Sequence, residues 1–392
     1  MHSPDPGPLT AGIGEQVRLP FVLMRGGTSK AVFLQGSVLS DDREVRDALI
    51  LSLFGSPDPR QIDGLGGADL LTSKLAIIDP PTRDDADLDY TFAQVSITDP
   101  VVDYDINCGN ISAAVGAYAI DEGMIDAEGP VTTVRIHNTN TGRILTAQVP
   151  IINGTAAIEG RYAVHGVPGT GAAIALDFSQ TAGGITGKLL PTGNEIDVLD
   201  TPIGPVEATI MDLANLTVFF PATAVGLEGT EGPEEFDEGR LTAINEVKEA
   251  AAKILGMATD GLTPVPAIVS APAGYTSYAT GDPVAPHDID LVARVVGGRP
   301  PVLHKAYPGT LGACTGVAAC IRGTTVHQVT RQAREGEIRI GHTSGVMPVR
   351  ARAHRDGDVW VADRAVYHRT ARRLAEGTAF IRRSAIPTGT TG

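Results

Sequence analysis

The sequence predicts an α+β protein of two similar halves, each with a small-residue helix enclosed by β-strands and with the functional site between the halves. Three observations carry this. With 46 glycines among 392 residues and only 5% aromatics, the chain favours turns and strands over a helical bundle. The run Ile111-Ser112-Ala113-Ala114-Val115-Gly116-Ala117-Tyr118 is small or apolar on most faces, which marks a helix surrounded by sheet rather than one lying on a surface. A second glycine-rich turn, residues 307–316, feeds a similar segment, Val317-Ala318-Ala319-Cys320. Clefts between such halves are where small-molecule sites usually lie.

The elements follow in order. Residues 17–24 read as a strand entering the turn Arg25-Gly26-Gly27, and residues 31–34 as the strand leaving it. Residues 41–54 have helical spacing, with Val45, Leu49 and Leu53 among charged neighbours. A glycine loop at 61–67 precedes the apolar strand 75–78, and the segments 90–97, 133–137 and 144–149 alternate as strands do. The polar, glycine-rich passage 181–194 interrupts this pattern before strands resume at 206–210. The expected domains are therefore 15–190 and 191–385, the last strand being free to return to the first domain. Residues 1–14 and 386–392 are expected to be disordered tails.

Composition excludes several function classes. A formal net charge of -15 argues against nucleic acid as a partner, although a basic pocket can exist inside an acidic exterior. Three cysteines, Cys108, Cys314 and Cys320, form neither a disulfide framework nor a CxxC metal pattern, so no metal is expected and a reduced, cytoplasmic setting is. No apolar run reaches the roughly 18 residues that span a bilayer, and the first residues lack the basic and apolar regions of a signal peptide. The sequence does not define oligomeric state; a homodimer is compatible with it.

The most informative segment is Asn107-Cys108-Gly109-Asn110, which places a thiol at the start of the first small-residue helix. Backbone N–H groups there have no intrahelical partner and carry the positive end of the helix dipole, so they favour a thiolate or a docked carboxylate. Free cysteine is often only a small buried hydrophobe, but its polar and glycine neighbours oppose that reading here. Lys74 stands directly before an apolar strand and after Gly64-Leu65-Gly66-Gly67, where desolvation would lower its pKa and make it a usable base. Most lysines at strand starts are simply solvated ends. Arg25-Gly26-Gly27-Thr28-Ser29-Lys30 fails the phosphate-loop pattern, and Gly309, Gly312 and Gly316 fail the dinucleotide spacing. Both are read instead as anion-binding turns, with the hairpin turn as the plain alternative for the first. His304, Lys305 and His342 could face the same cleft; each histidine alone is more often structural.

Taken together, Leu23-Met24-Arg25-Gly26-Gly27-Thr28-Ser29-Lys30, Gln61-Ile62-Asp63-Gly64-Leu65-Gly66-Gly67, Thr72-Ser73-Lys74, Asn107-Cys108-Gly109-Asn110, residues 187–194 and His342-Thr343-Ser344-Gly345 resemble the PrpF family of 2-methylaconitate cis-trans isomerases and 4-oxalomesaconate tautomerases. The resemblance covers nearly the whole chain between the tails. It implies a diaminopimelate-epimerase-like fold, two similar domains each with a mixed sheet wrapped around a central helix. It also implies cofactor-free proton transfer on a small unsaturated di- or tricarboxylate, with Lys74 and Cys108 as catalytic residues flanking the substrate. Amides of Gly109, Asn110, Gly312 and Ala313 are the expected oxyanion donors. Arg25, Thr28, Ser29, Gly66, Gly67, Ser73, Asn107, Thr310 and Ser344 complete the expected substrate-binding set. Residues 55–95 lean slightly toward the tautomerases. The second domain departs from the epimerase pattern, because Ala313 stands where a second catalytic cysteine would fall. Two rivals remain: a two-cysteine racemase, which needs Cys314 to face Cys108, and a non-catalytic carboxylate-binding protein.

Overall fold

Alternation along the strands sorts side chains onto two faces, and both faces are covered. On the strands Ser29–Gln35 and Lys74–Asp79, Val32, Leu34, Leu75 and Ile77 face one way, against Leu49, Ile50 and Leu53 of helix α1 (Arg43–Phe54). Ala31, Phe33, Ala76 and Ile78 face the other way, against helix α2 (Gly109–Asp121). Helix α1 is capped by Asp42, whose carboxylate accepts the Glu44 and Val45 N–H groups, and is ended by Gly55 at φ 73°. Helix α2 is buried on every side from Gly109 to Ile120, which explains its small residues: anything bulkier would push strands away around the whole circumference. The computed structural model describes residues 12–105, 107–298, 300–331 and 336–387, so most of the expected tails lies outside the described residues.

The strand pairings repeat. Gln16–Gly26, Ser29–Gln35, Lys74–Asp79, Leu88–Val95, Val131–Asn138, Arg143–Ile152 and Ile174–Asp177 pair successively in the senses antiparallel, parallel, antiparallel, parallel, antiparallel, antiparallel. Gly204–Leu213, Asn215–Pro221, Val265–Ser270, Leu291–Gly297, Glu337–His342, Gly345–Asp356 and Val359–Arg369 pair in the same order of senses. A parallel pair needs a crossover, and in both series the crossovers hold the helices: α1 and α2 in the first, α3 (Glu238–Ile254) and α4 (Gly309–Cys320) in the second. Like α2, α4 is buried from Gly309 to Ala319. This is the α+β architecture expected, with a mixed sheet around a central helix in each half.

Two pairings join the series. Ile174–Asp177 also pairs with Val359–Arg369, and the final strand Ala371–Arg382 pairs along the length of Gln16–Gly26. One continuous core consequently runs around both α2 and α4. The helices start beside each other, and glycine makes this possible. A Cβ on Gly109 would meet the Thr310 amide nitrogen at 2.6 Å, and side chains at Gly109 or Gly309 would overlap the Tyr367 hydroxyl. Gly26 has the same role for the preceding turn, since its Cβ would overlap the Asn110 carbonyl oxygen and lie 3.1 Å from the Ile111 Cα.

Those obstacles to Gly26 are backbone atoms that cannot swing aside. Gly26→Ala is expected to destabilise the fold by about 1–3 kcal/mol through overpacking, read as a lower urea midpoint at unchanged m-value. An unaltered midpoint would mean that the turn is not pressed against α2.

Candidate active site

A cavity of about 110 Å³ lies where the two helix starts meet. Lys74 reaches it because it is the first residue of its strand and points to the α2 side, and the Cys108 thiol reaches it from the N-cap of that helix. Asn107, Asn110, Gln94, Asn215 and His304 add polar groups, while Leu70, Leu262, Val265, Val295, Val302, Pro308 and Leu311 add apolar ones.

Lys74 is buried, and Gln94 is its direct partner across the strands. Nζ donates to Gln94 Oε1 at 2.6 Å and stands 5.2 Å from the centre of the Phe92 ring. The Gln94 amide cannot turn over, because its Nε2 donates to the Ser73 carbonyl at 2.8 Å. Desolvation holds the lysine below its ordinary pKa, while Cys108 and Asp69 act in the opposite sense. His304 is neutral for the same reason, its pKa lowered to about 4 by burial and by the neighbouring Lys74 charge. The lining is thus set up to take a proton rather than to hold a permanent charge.

Helix geometry decides which amides are free. In α2 the Ser112 N–H already donates to Cys108 O at 3.0 Å, which leaves Gly109, Asn110 and Ile111 as the first-turn donors. In α4 the Gly312 N–H donates to Pro308 O at 2.9 Å, and Ala313 is one residue deeper. Gly312 and Ala313 were expected as oxyanion donors; their amides are consumed by the helix, and Gly309, Thr310 and Leu311 hold the open positions. The helix begins earlier than its glycine spacing implies, at Gly309 behind Pro308.

Other expected binding residues are engaged elsewhere. Ser73 Oγ donates to Val95 O at 2.9 Å and accepts from Gln61 Nε2 at 2.7 Å, holding the loop ahead of Lys74. Gly66 packs on the Gln61 side chain and Gly67 on Thr72, so both glycines serve that loop. The Arg25 guanidinium donates to Gly27 O and Thr370 O, bracing the turn against the last strands. Ser29 is buried with its hydroxyl unpartnered among the described groups, and Ser344 donates to Lys305 O; neither lines the cavity. Thr310 Oγ1 accepts from Asn215 Nδ2 at 2.9 Å, and Thr28 Oγ1 accepts from Asn110 Nδ2 at 3.1 Å. Cys314 does not face Cys108. It lies within α4 against Thr217 and Asp212, and burial pushes its thiol up to about 12, which removes the two-cysteine arrangement.

Gln94 and Asn215 escaped the sequence reading. Gln94 had a signal: with Tyr90 and Phe92 it occupies the α2-facing side of an alternating strand, where a lone amide is out of place. Asn215 opens a strand after a turn in which Ala214 has φ 60°, and nothing local foretells its contact with α4.

The PrpF protein family model matches residues 16–382. The chain belongs to the PrpF family. It is 48% identical over 383 residues to a 3-methylitaconate isomerase from Eubacterium barkeri, covering 95% of this chain and 99% of that protein. A 4-oxalomesaconate tautomerase from Pseudomonas putida is 45% identical over 235 residues, 59% of this chain and 64% of that one. The crystal structure of a methylitaconate-delta-isomerase superposes with a TM-score of 0.79 at 47% identity, over 97% of this chain and 99% of the other. This PrpF-family chain is an isomerase with the diaminopimelate-epimerase-like fold. Among the described residues no helix is long and apolar enough to cross a membrane, and no cluster of three or more His, Cys, Asp or Glu could hold a metal.

Two pH effects follow. Lys74 binds its proton less readily folded than unfolded, so its burial costs stability at neutral pH, a cost that fades as pH rises toward the ordinary lysine value. Lys74→Met should therefore raise the Tm at pH 7 and lose that advantage near pH 10 in thermal melts. His165, His304, His342 and His368 are all held below the ordinary histidine pKa by burial. The unfolded chain then binds more protons as pH falls below about 6.5, so stability should drop from there toward pH 4. The slope should lessen in His304→Gln.

Proposed function

We propose that this isomerase moves a proton and a double bond in a small, methyl-bearing unsaturated dicarboxylate of the 3-methylitaconate kind. The observation that carries the reading is the mixed lining of one cavity. Lys74, Gln94, Cys108 and Asn110 bring polar groups to it, and Val265, Val295, Pro308 and Leu311 bring apolar ones. The apolar groups suit a methyl or methylene group and disfavour the third carboxylate of a tricarboxylate. The longer match to the 3-methylitaconate isomerase supports the same choice over the slight lean toward the tautomerases.

In this mechanism the substrate's allylic C–H bond points at Lys74. Its neutral amine takes the proton, and the electron pair spreads through the alkene into the adjoining carboxylate as a dienolate. The open amides of Gly109, Asn110 and Ile111, with those at the start of α4, stabilise the oxygens on which charge develops; this assistance is the larger part of the work, since such carbon acids are weak. Cys108 delivers a proton to the far end of the conjugated system as the double bond shifts. The resulting ammonium and thiolate are reset by exchange with solvent. No step calls on a cofactor. Three free cysteines fit a reducing cytoplasmic setting for the enzyme.

Proton NMR in D2O with a panel of 3-methylitaconate, 2-methylaconitate and 4-oxalomesaconate tests this directly. Deuterium entering the allylic position of the methylated dicarboxylate, together with conversion to the shifted alkene, is expected. Lys74→Ala should lose about 10²–10⁴-fold in rate while keeping its fold by circular dichroism. Full activity in that variant would rule out the assigned base, and faster turnover of a tricarboxylate would move the substrate class.

A further inference from the structure

Behind the α2 start lies a cation without a counter-ion. Arg369 closes the strand Val359–Arg369 and is buried at 4% exposure. Its Nε donates to Asn110 Oδ1 at 2.8 Å and one terminal nitrogen to His368 O at 3.0 Å. The other terminal nitrogen faces the thioether sulfur of Met347, a weak acceptor. The guanidinium carbon stands 4.8 Å from the centre of the Tyr367 ring. Tyr367, Tyr162 and Cys108 favour its charge, His342 and His368 face it, and no carboxylate pairs with it among the described residues. A buried charge left this way is costly.

The space beside it is small and lined by donors. A cavity of about 20 Å³ is bounded by Arg369, Thr28, Tyr162, His165, His342 and Met347. Its volume is about that of one water-sized occupant. His342 Nδ1 accepts the Ser344 N–H at 3.2 Å, so in the neutral ring the proton sits on Nε2. Thr28 Oγ1 accepts from Asn110, which leaves its hydroxyl proton to give. No acidic side chain lines the cavity.

We propose that this cavity is a buried site for a small monovalent anion of halide size, held by Arg369, His342 and Thr28. The anion supplies the charge that Arg369 lacks. Through the Arg369–Asn110 bond it also fixes a side chain that lines the larger cavity, so occupancy of the small site steadies the α2 start. The site stands independently of the isomerase reading, since neither its charge nor its donors depend on what the larger cavity turns over.

Crystals of the whole chain soaked in sodium bromide, with and without a saturated dicarboxylate, test it. An anomalous bromide peak in contact with Arg369 is expected. Its persistence with the acid present is expected of a halide site separate from the larger cavity, and its replacement by a carboxylate group overturns that assignment. In solution, bromide should raise the Tm on the order of 2 °C. That increment should vanish in Arg369→Met and survive, weakened, in Arg369→Lys. Only water in the cavity in both soaks overturns the proposal, as does an identical bromide increment in the wild type and Arg369→Met.

Discussion

Two buried helices meet start to start, with the Tyr367 hydroxyl between them and room only for glycine at the contact. Each helix start carries about half a positive charge, so the meeting is repulsive until something negative sits there. The consequence is an electropositive interior inside a chain whose formal net charge is -15. Lys74, held below its ordinary pKa, adds no permanent cation to this region in its neutral form. The junction therefore favours an anion over a cation, and the surrounding sheets keep the two helices from moving apart.

The repeated halves have diverged where they matter most. Lys74 opens the strand after α1, and Val265 opens the strand after α3. Cys108 caps α2, and Pro308 caps α4. All four line the same cavity. Like groups at these matching positions would make the cavity symmetric between the halves. With a lysine and a thiol from one half and hydrocarbon at the matching positions of the other, the two halves offer a bound molecule different chemistry.

Much of this was legible because it is written locally. Small residues on every face announced α2 and α4, and the polar Asn107 to Asn110 turn announced Cys108 as an N-terminal thiol. Lys74 was legible from its place between a glycine loop and an apolar strand. What was not legible depends on distant partners. Ser73 has the right chemistry for a ligand, but Gln61 and the Val95 carbonyl occupy it. Gly312 looked like a helix start and is one turn inside, because Pro308 begins the helix sooner. Asn215 and Arg369 acquire their roles from contacts with Thr310 and Asn110, far away in sequence.

The pairing of Ala371–Arg382 with Gln16–Gly26 bears on how such a chain comes into being. During synthesis the first long strand emerges well before its outer neighbour, and the Arg25 to Thr370 bond spans 345 residues. Until then one edge of the first sheet stands open, a template for unwanted pairing. Loop closure over such a span is slow. The duplicated plan invites a picture of two modules fused end to end, but this clasp makes the ribosome finish the second before the first is whole.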